Sequence, residues 1–133
     1  MSSAILLIAH GSRRPAANAD LLEVARRLGE RRPGELIEVA YLELAEPDIP
    51  TGARRCVERG AREVRLLPWF LSAGAHVRDD LERYRREFTE LYDGVRFACC
   101  PPLGIDELMI DVLQKRLDEA DGGAKLSASD LAS

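Results

Sequence analysis

The chain is poor in the residues that most often carry chemistry. It holds 133 residues but only two histidines, one tryptophan and three cysteines. The cysteines, Cys56, Cys99 and Cys100, are odd in number and form no CxxC, so neither a closed thiolate zinc site nor a disulfide framework is expected. Adjacent Cys99 and Cys100 could bridge only through a strained ring; free thiols, buried in the sheet or at most a supplementary soft ligand, are the reading, together with a cytoplasmic location. No apolar run approaches the roughly 20 residues that cross a bilayer, and MSSAILLIAHGS has no basic region ahead of its short apolar stretch, so neither a membrane partner nor a secretory leader is expected. A basic excess is missing too: the formal charge is −4, which argues against a nucleic-acid partner. Lysine is confined to Lys115 and Lys125, leaving arginine as the working cation.

What is present is an alternation of short and long apolar patterns. Continuous apolar runs at 4–9 (AILLIA), 36–42 (LIEVAYL), 63–69 (EVRLLPW) and 95–100 predict strands. Between them, helical spacing predicts helices over 16–32, with Leu21, Leu22, Val24, Ala25 and Leu28 on one face, and over 48–60, with Ile49, Ala53, Cys56 and Val57. A third helix places Val77, Leu81, Tyr84, Phe88 and Leu91 together, and a last one is expected to bury Ile105, Leu108, Met109, Val112, Leu113 and Leu117. Strand and helix in strict alternation imply one α/β domain over residues 1–120, its parallel sheet covered on both faces. Residues 121–133, DGGAKLSASDLAS, offer little to pack and read as a mobile tail.

Both histidines fall where strands end. His10 follows the first apolar run, Glu43 follows the second, and His76 lies in the loop after the third, at equal intervals of 33 residues (10 to 43, 43 to 76). One βα unit is about that long, so all three project from the carboxyl edge of a parallel sheet, where open α/β folds bind ligands. Two imidazoles and a carboxylate suit a divalent transition metal. Arg13, Arg14 and Arg78 flank the histidines and could fork onto substrate carboxylates. The plainer readings are solvated charges and hydrogen-bonded histidines. HGSRR before a helix could instead cradle a phosphate, although it lacks the spacing of a P-loop or dinucleotide fingerprint. Ser12 beside His10 lacks a GxSxG elbow.

Three segments, LLIAHGSR, YLELAEPDIP and LPWFLSAGAHVRDDL, resemble the CbiX/SirB family of class II tetrapyrrole chelatases in order and spacing, over residues 4 to about 117. The short chain is similar to the small form of sirohydrochlorin cobaltochelatase. The resemblance implies a chelatase-like (flavodoxin-like) three-layer sandwich with a four-stranded parallel sheet in the order 2-1-3-4. It implies ATP-independent insertion of a divalent ion, Co2+ foremost with Ni2+ or Fe2+ as alternatives, into sirohydrochlorin on the way to cobalamin or siroheme. His10, Glu43 and His76 match the family's catalytic and metal-handling residues; Ser12, Arg13, Arg14, Gly74 and Arg78 are placed toward the substrate. No cofactor beyond the metal substrate is implied. Longer relatives hold two such units, so a single unit implies a homodimer around a shared cleft. Vicinal cysteines are not part of the family pattern. A non-catalytic metal carrier or tetrapyrrole-binding module on the same fold is the competing function.

Overall fold

A computed structural model describes residues 2–122. The elements run β1 (Ser3–Ala9), α1 (Pro15–Arg31), β2 (Leu36–Tyr41), α2 (Ile49–Glu58), β3 (Glu63–Pro68), α3 (Ala75–Leu91), β4 (Arg96–Cys99) and α4 (Glu107–Asp121). The four strands form one parallel sheet in the order β2-β1-β3-β4, as expected. β1 lies between β2 and β3, pairing Leu6 with Glu38 on one side and with Leu66 on the other. Its run AILLI is buried throughout, which is why it reads as continuous rather than alternating apolar sequence.

Local signals set the helix bounds. Pro15 opens α1, where a missing N–H costs nothing. The Asp48 side chain accepts from the Thr51 N–H at 2.9 Å and caps α2; Asp106 caps α4 by accepting from Leu108 at 2.9 Å. α2 presses unusually close to the sheet. A Cβ on Gly52 would stand 2.7 Å from Leu6 Cδ1 and 3.0 Å from the Ala40 Cβ, so only glycine lets this helix approach.

The two faces of the sheet are filled unequally. On one, Leu6, Ile8, Ala40, Val64, Leu66 and Phe97 meet Ile49, Ala53 and Cys56 of α2 and Leu81 and Phe88 of α3. On the other, among the described residues, α1 alone supplies cover, with Leu21 packed on Leu7 and Tyr41. Two expectations about helix faces fail. Leu22 of α1 and Leu91 at the end of α3 are exposed. The larger correction is α4: Ile105, Leu108, Val112, Leu113 and Leu117 are exposed and Met109 is only half-buried. The helix has no buried residue and, among the described residues, no more than marginal contact with any strand or helix of its chain. An amphipathic stripe specifies that a helix must bury one face, not what buries it. The tail reading falls almost wholly outside the described residues.

Candidate active site

The carboxyl ends of the strands are tied into one platform. Past the end of β1 and β2 the pairing continues: Leu42 N–H donates to the Ala9 carbonyl and Glu43 N–H to the His10 carbonyl, both at 3.0 Å. Gly11 has φ +96°, and a Cβ there would stand 1.8 Å from the Glu43 carbonyl oxygen. Glycine is therefore required for the chain carrying His10 to pass against the chain carrying Glu43. Leu44 follows with φ +64°, turning the loop back, and the Glu46–Pro47 peptide is cis. Between β1 and β3, the Trp69 N–H donates to the Ile8 carbonyl at 2.7 Å, and the His10 ring lies on the Phe70 ring with centroids 4.3 Å apart and planes tilted by 33°. Phe70 is itself buried and tied to the loop after β4, accepting from Leu103 N–H at 3.0 Å.

His10, Glu43 and His76 all lie on this edge and all are exposed to solvent. His10 and Glu43 are joined through their backbones, whereas His76 stands in the first turn of α3. Among the described residues no three His, Cys, Asp or Glu side chains close on a common point, so one chain presents these groups singly rather than as a finished metal cage.

The substrate-facing candidates divide. Ser12 serves the local turn: its N–H donates to Asn18 Oδ1 at 3.0 Å, its carbonyl accepts from Asn18 Nδ2 at 2.7 Å, and its hydroxyl accepts from the Arg14 N–H at 3.0 Å. These bonds consume donors that a phosphate cradle at HGSRR would need. Asn18, unnoticed in the sequence, is thus the residue that shapes the loop; the buried Tyr41 hydroxyl donates to its carbonyl at 2.9 Å, and burial pushes that phenol up. Arg13 and Arg14 are exposed at the start of α1, with Arg14 as its N-cap. Gly74 caps α3 with extended backbone, and a Cβ there would meet nothing, so no close approach requires it.

Arg78 lines a cavity of about 720 Å³ beside the edge, together with Ser72, Asp79, Glu82, Cys99 and Cys100. The hydrogen bond from Arg85 holds the Glu82 carboxyl below its ordinary range. Burial, then the Glu82 charge, pushes the Cys99 thiol up. All three cysteines are free; Cys56 is buried, but Cys99 is exposed and Cys100 half-buried, which corrects the expectation that the vicinal pair lies inside. On the same edge, in the loops after β2 and β3, stand apolar groups that the sequence pattern did not single out as site residues: Leu44, Trp69 and Leu71, exposed by 53%, 43% and 68%. The signal was there, since LLPWFL runs past the length of its strand.

A profile of the CbiX family matches residues 4–120. The chain belongs to the CbiX family. The SirB chelatase of Bacillus subtilis subspecies spizizenii, solved in complex with cobalt, superposes with TM-score 0.82 at 29% identity, covering 90% of this chain and 51% of that one. Chloroplastic sirohydrochlorin ferrochelatase of Arabidopsis thaliana is 33% identical over 113 residues, 85% of this chain and 50% of the relative. Sirohydrochlorin cobaltochelatase of Methanococcus maripaludis is 28% identical over 144 residues, 90% of this chain and 98% of the relative. The chain thus spans about half the length of some CbiX-family relatives and nearly all of another. Among the described residues no helix is long and apolar enough to cross a membrane.

Proposed function

We propose that this protein is a sirohydrochlorin chelatase that inserts a divalent metal ion into the macrocycle without ATP, with Co2+ as the preferred ion, in the cytoplasm. The observation that carries the reading is the shared edge. His10 is held against Phe70 and, through Gly11, against the Glu43 loop, while His76 stands in the first turn of α3, just past the next βα loop. Relatives named for both cobalt and iron chelation of sirohydrochlorin support the substrate.

Insertion forms metal–nitrogen bonds, strips water from the ion and releases two protons from the pyrrole nitrogens. In this reading the imidazoles of His10 and His76 hold the incoming ion or accept those protons, since neutral imidazole does either near pH 7. Glu43 offsets the ion's charge with a hard oxygen ligand. Three separated groups suit transient ligation, because a closed cage would retain the ion. Leu44, Trp69 and Leu71 offer apolar contact to the flat macrocycle, and Arg78, with Arg13 and Arg14, meets its peripheral carboxylates. One chain provides one wall of such a site, so the reading includes a homodimer around a shared cleft.

The test is purified protein with sirohydrochlorin and Co2+, Ni2+ or Fe2+, free of nucleotide, followed by absorbance. The free-base spectrum should convert at a rate proportional to protein. Cobalt binding with no acceleration of insertion would make the protein a carrier instead.

A further inference from the structure

His10 and Phe70 continue two neighbouring strands in the same way. In the parallel ladder Ile8 of β1 stands opposite Pro68 of β3. Side chains alternate along a strand, so two residues further on His10 and Phe70 return to the face that holds Ile8 and Leu66. They meet one step past the end of the sheet, with ring centroids 4.3 Å apart and planes tilted by 33°. Phe70 is buried and His10 is exposed, so the phenyl ring is the floor on which the imidazole lies.

The floor is itself fixed. The Trp69 N–H donates to the Ile8 carbonyl at 2.7 Å, and the Phe70 carbonyl accepts from Leu103 N–H at 3.0 Å. The phenyl side chain belongs to the same buried cluster as Ile8, Leu66 and Leu81. A ring packed at interior density sits in one rotamer and moves little.

No hydrogen bond shares the task of orienting the imidazole. The bonds of its loop run through Ser12, Arg14, Asn18 and the His10 carbonyl, and among the described residues none reaches an imidazole nitrogen. A metal-handling histidine is commonly oriented by donating its second N–H to a carboxylate or a carbonyl. That bond also fixes the tautomer and makes the other nitrogen a more basic, tighter ligand. A ring held by its face has neither consequence. Both nitrogens stay open and either tautomer serves, so the ligand is oriented without being strengthened. An ion that must be handed on needs that combination.

We propose that Phe70 is the positioning residue of His10, fixing the imidazole for the incoming ion by stacking, in place of a hydrogen-bonded partner, and acting only through that ring. This rests on the role of His10 in the chelatase reading above and names what keeps the ring ready. Freeing one ordered side chain changes an equilibrium or a rate by roughly two- to tenfold, which is the size of effect expected.

The test uses the full chain with Phe70→Leu, which keeps an apolar side chain in the cluster and removes the flat face; Phe70→Met serves should the leucine variant fail to fold. With only two histidines in the chain, His10→Ala assigns the imidazole proton resonances. Those of His10 should carry the ring-current displacement of Phe70 in the wild type and lose it in Phe70→Leu. Co2+ affinity by calorimetry and kcat for insertion should each fall roughly two- to tenfold, with the KM for sirohydrochlorin unchanged. Both losses should vanish when Phe70→Leu is made in a His10→Ala chain and persist in a His76→Ala chain, as a contact acting through one partner requires. Phe97→Leu, a likewise buried aromatic standing among Phe88 and Tyr92, should leave kcat unchanged. Unmoved His10 resonances, a loss that survives in the His10→Ala chain, a raised KM at constant kcat, or an equal kcat loss in Phe97→Leu would each overturn the positioning role. Wild-type protein that inserts no ion, with the His10-dependent losses of resonance displacement and Co2+ affinity observed, would remove the chelatase chemistry and still support the positioning.

Discussion

Gly11 lies so close to Glu43 that any β-carbon would stand 1.8 Å from the Glu43 carbonyl oxygen. Two segments 32 residues apart are thereby held in contact next to His10. Gly11→Ala combines that clash with a φ of +96° that alanine resists. Left-handed strain alone costs of order 1–3 kcal/mol, and the clash adds to it. Urea denaturation should show a loss at or above that range, and chelation should fall with it as Glu43 is driven from His10. A variant of wild-type stability would mean the loop relaxes freely and the contact organises nothing.

The histidines carry the chemical reading. His10→Ala and His76→Ala should each fold, being exposed at the sheet edge, and each should slow cobalt insertion by roughly 10²–10⁴-fold, the scale of losing a positioned acid or base. Glu43→Gln should lie between these and wild type, since an amide oxygen still meets the ion without balancing its charge. Wild-type rates in both folded histidine variants would remove the mechanism.

Among the arginines, Arg78 borders the 720 Å³ cavity, and Arg13 and Arg14 are surface groups at the start of α1. Arg78→Ala should raise the apparent KM for sirohydrochlorin more than it lowers kcat, with a weaker effect at high salt. A kcat loss at constant KM would place Arg78 in catalysis rather than in carboxylate binding.

Asp48 links stability to pH beside the site. Hydrogen bonds from Thr51 hold its carboxyl below the ordinary range. A carboxylate depressed in the folded chain stabilises above its unfolded pKa and loses that contribution as pH falls through the folded value. Asp48→Ala should cost about 1 kcal/mol, the worth of an N-cap, at pH 7, and the gap from wild type should close in acid titration. A gap that is constant with pH would assign the loss to something other than the charged cap.

Burial pushes the Cys56 thiol up to about 12, so it should stay silent toward a disulfide reagent until unfolding. Cys99 is exposed and should react in the native protein, faster as pH rises because its own thiol is also shifted upward. Native labelling at Cys56, read by mass spectrometry, would contradict the packing of α2 on the sheet.

The alternation of strand and helix, the parallel sheet and the arrival of His10, Glu43 and His76 at one edge were legible in the sequence. Each depends on period and spacing, which a linear pattern carries: AILLIA is continuous because β1 is central, and 33-residue intervals return the chain to the same edge. The Phe70 ring under His10, the approach of Gly11 to Glu43 and the role of Asn18 were not legible, since contacts between distant segments leave no local periodicity. α4 marks the boundary most clearly. Its stripe of Leu108, Val112, Leu113 and Leu117 specifies an amphipathic helix, and the sequence alone assigns that stripe to the core. Only the tertiary structure decides otherwise, because the bonds from Leu103 and Gly104 send the helix away from its own sheet and leave the stripe in solvent.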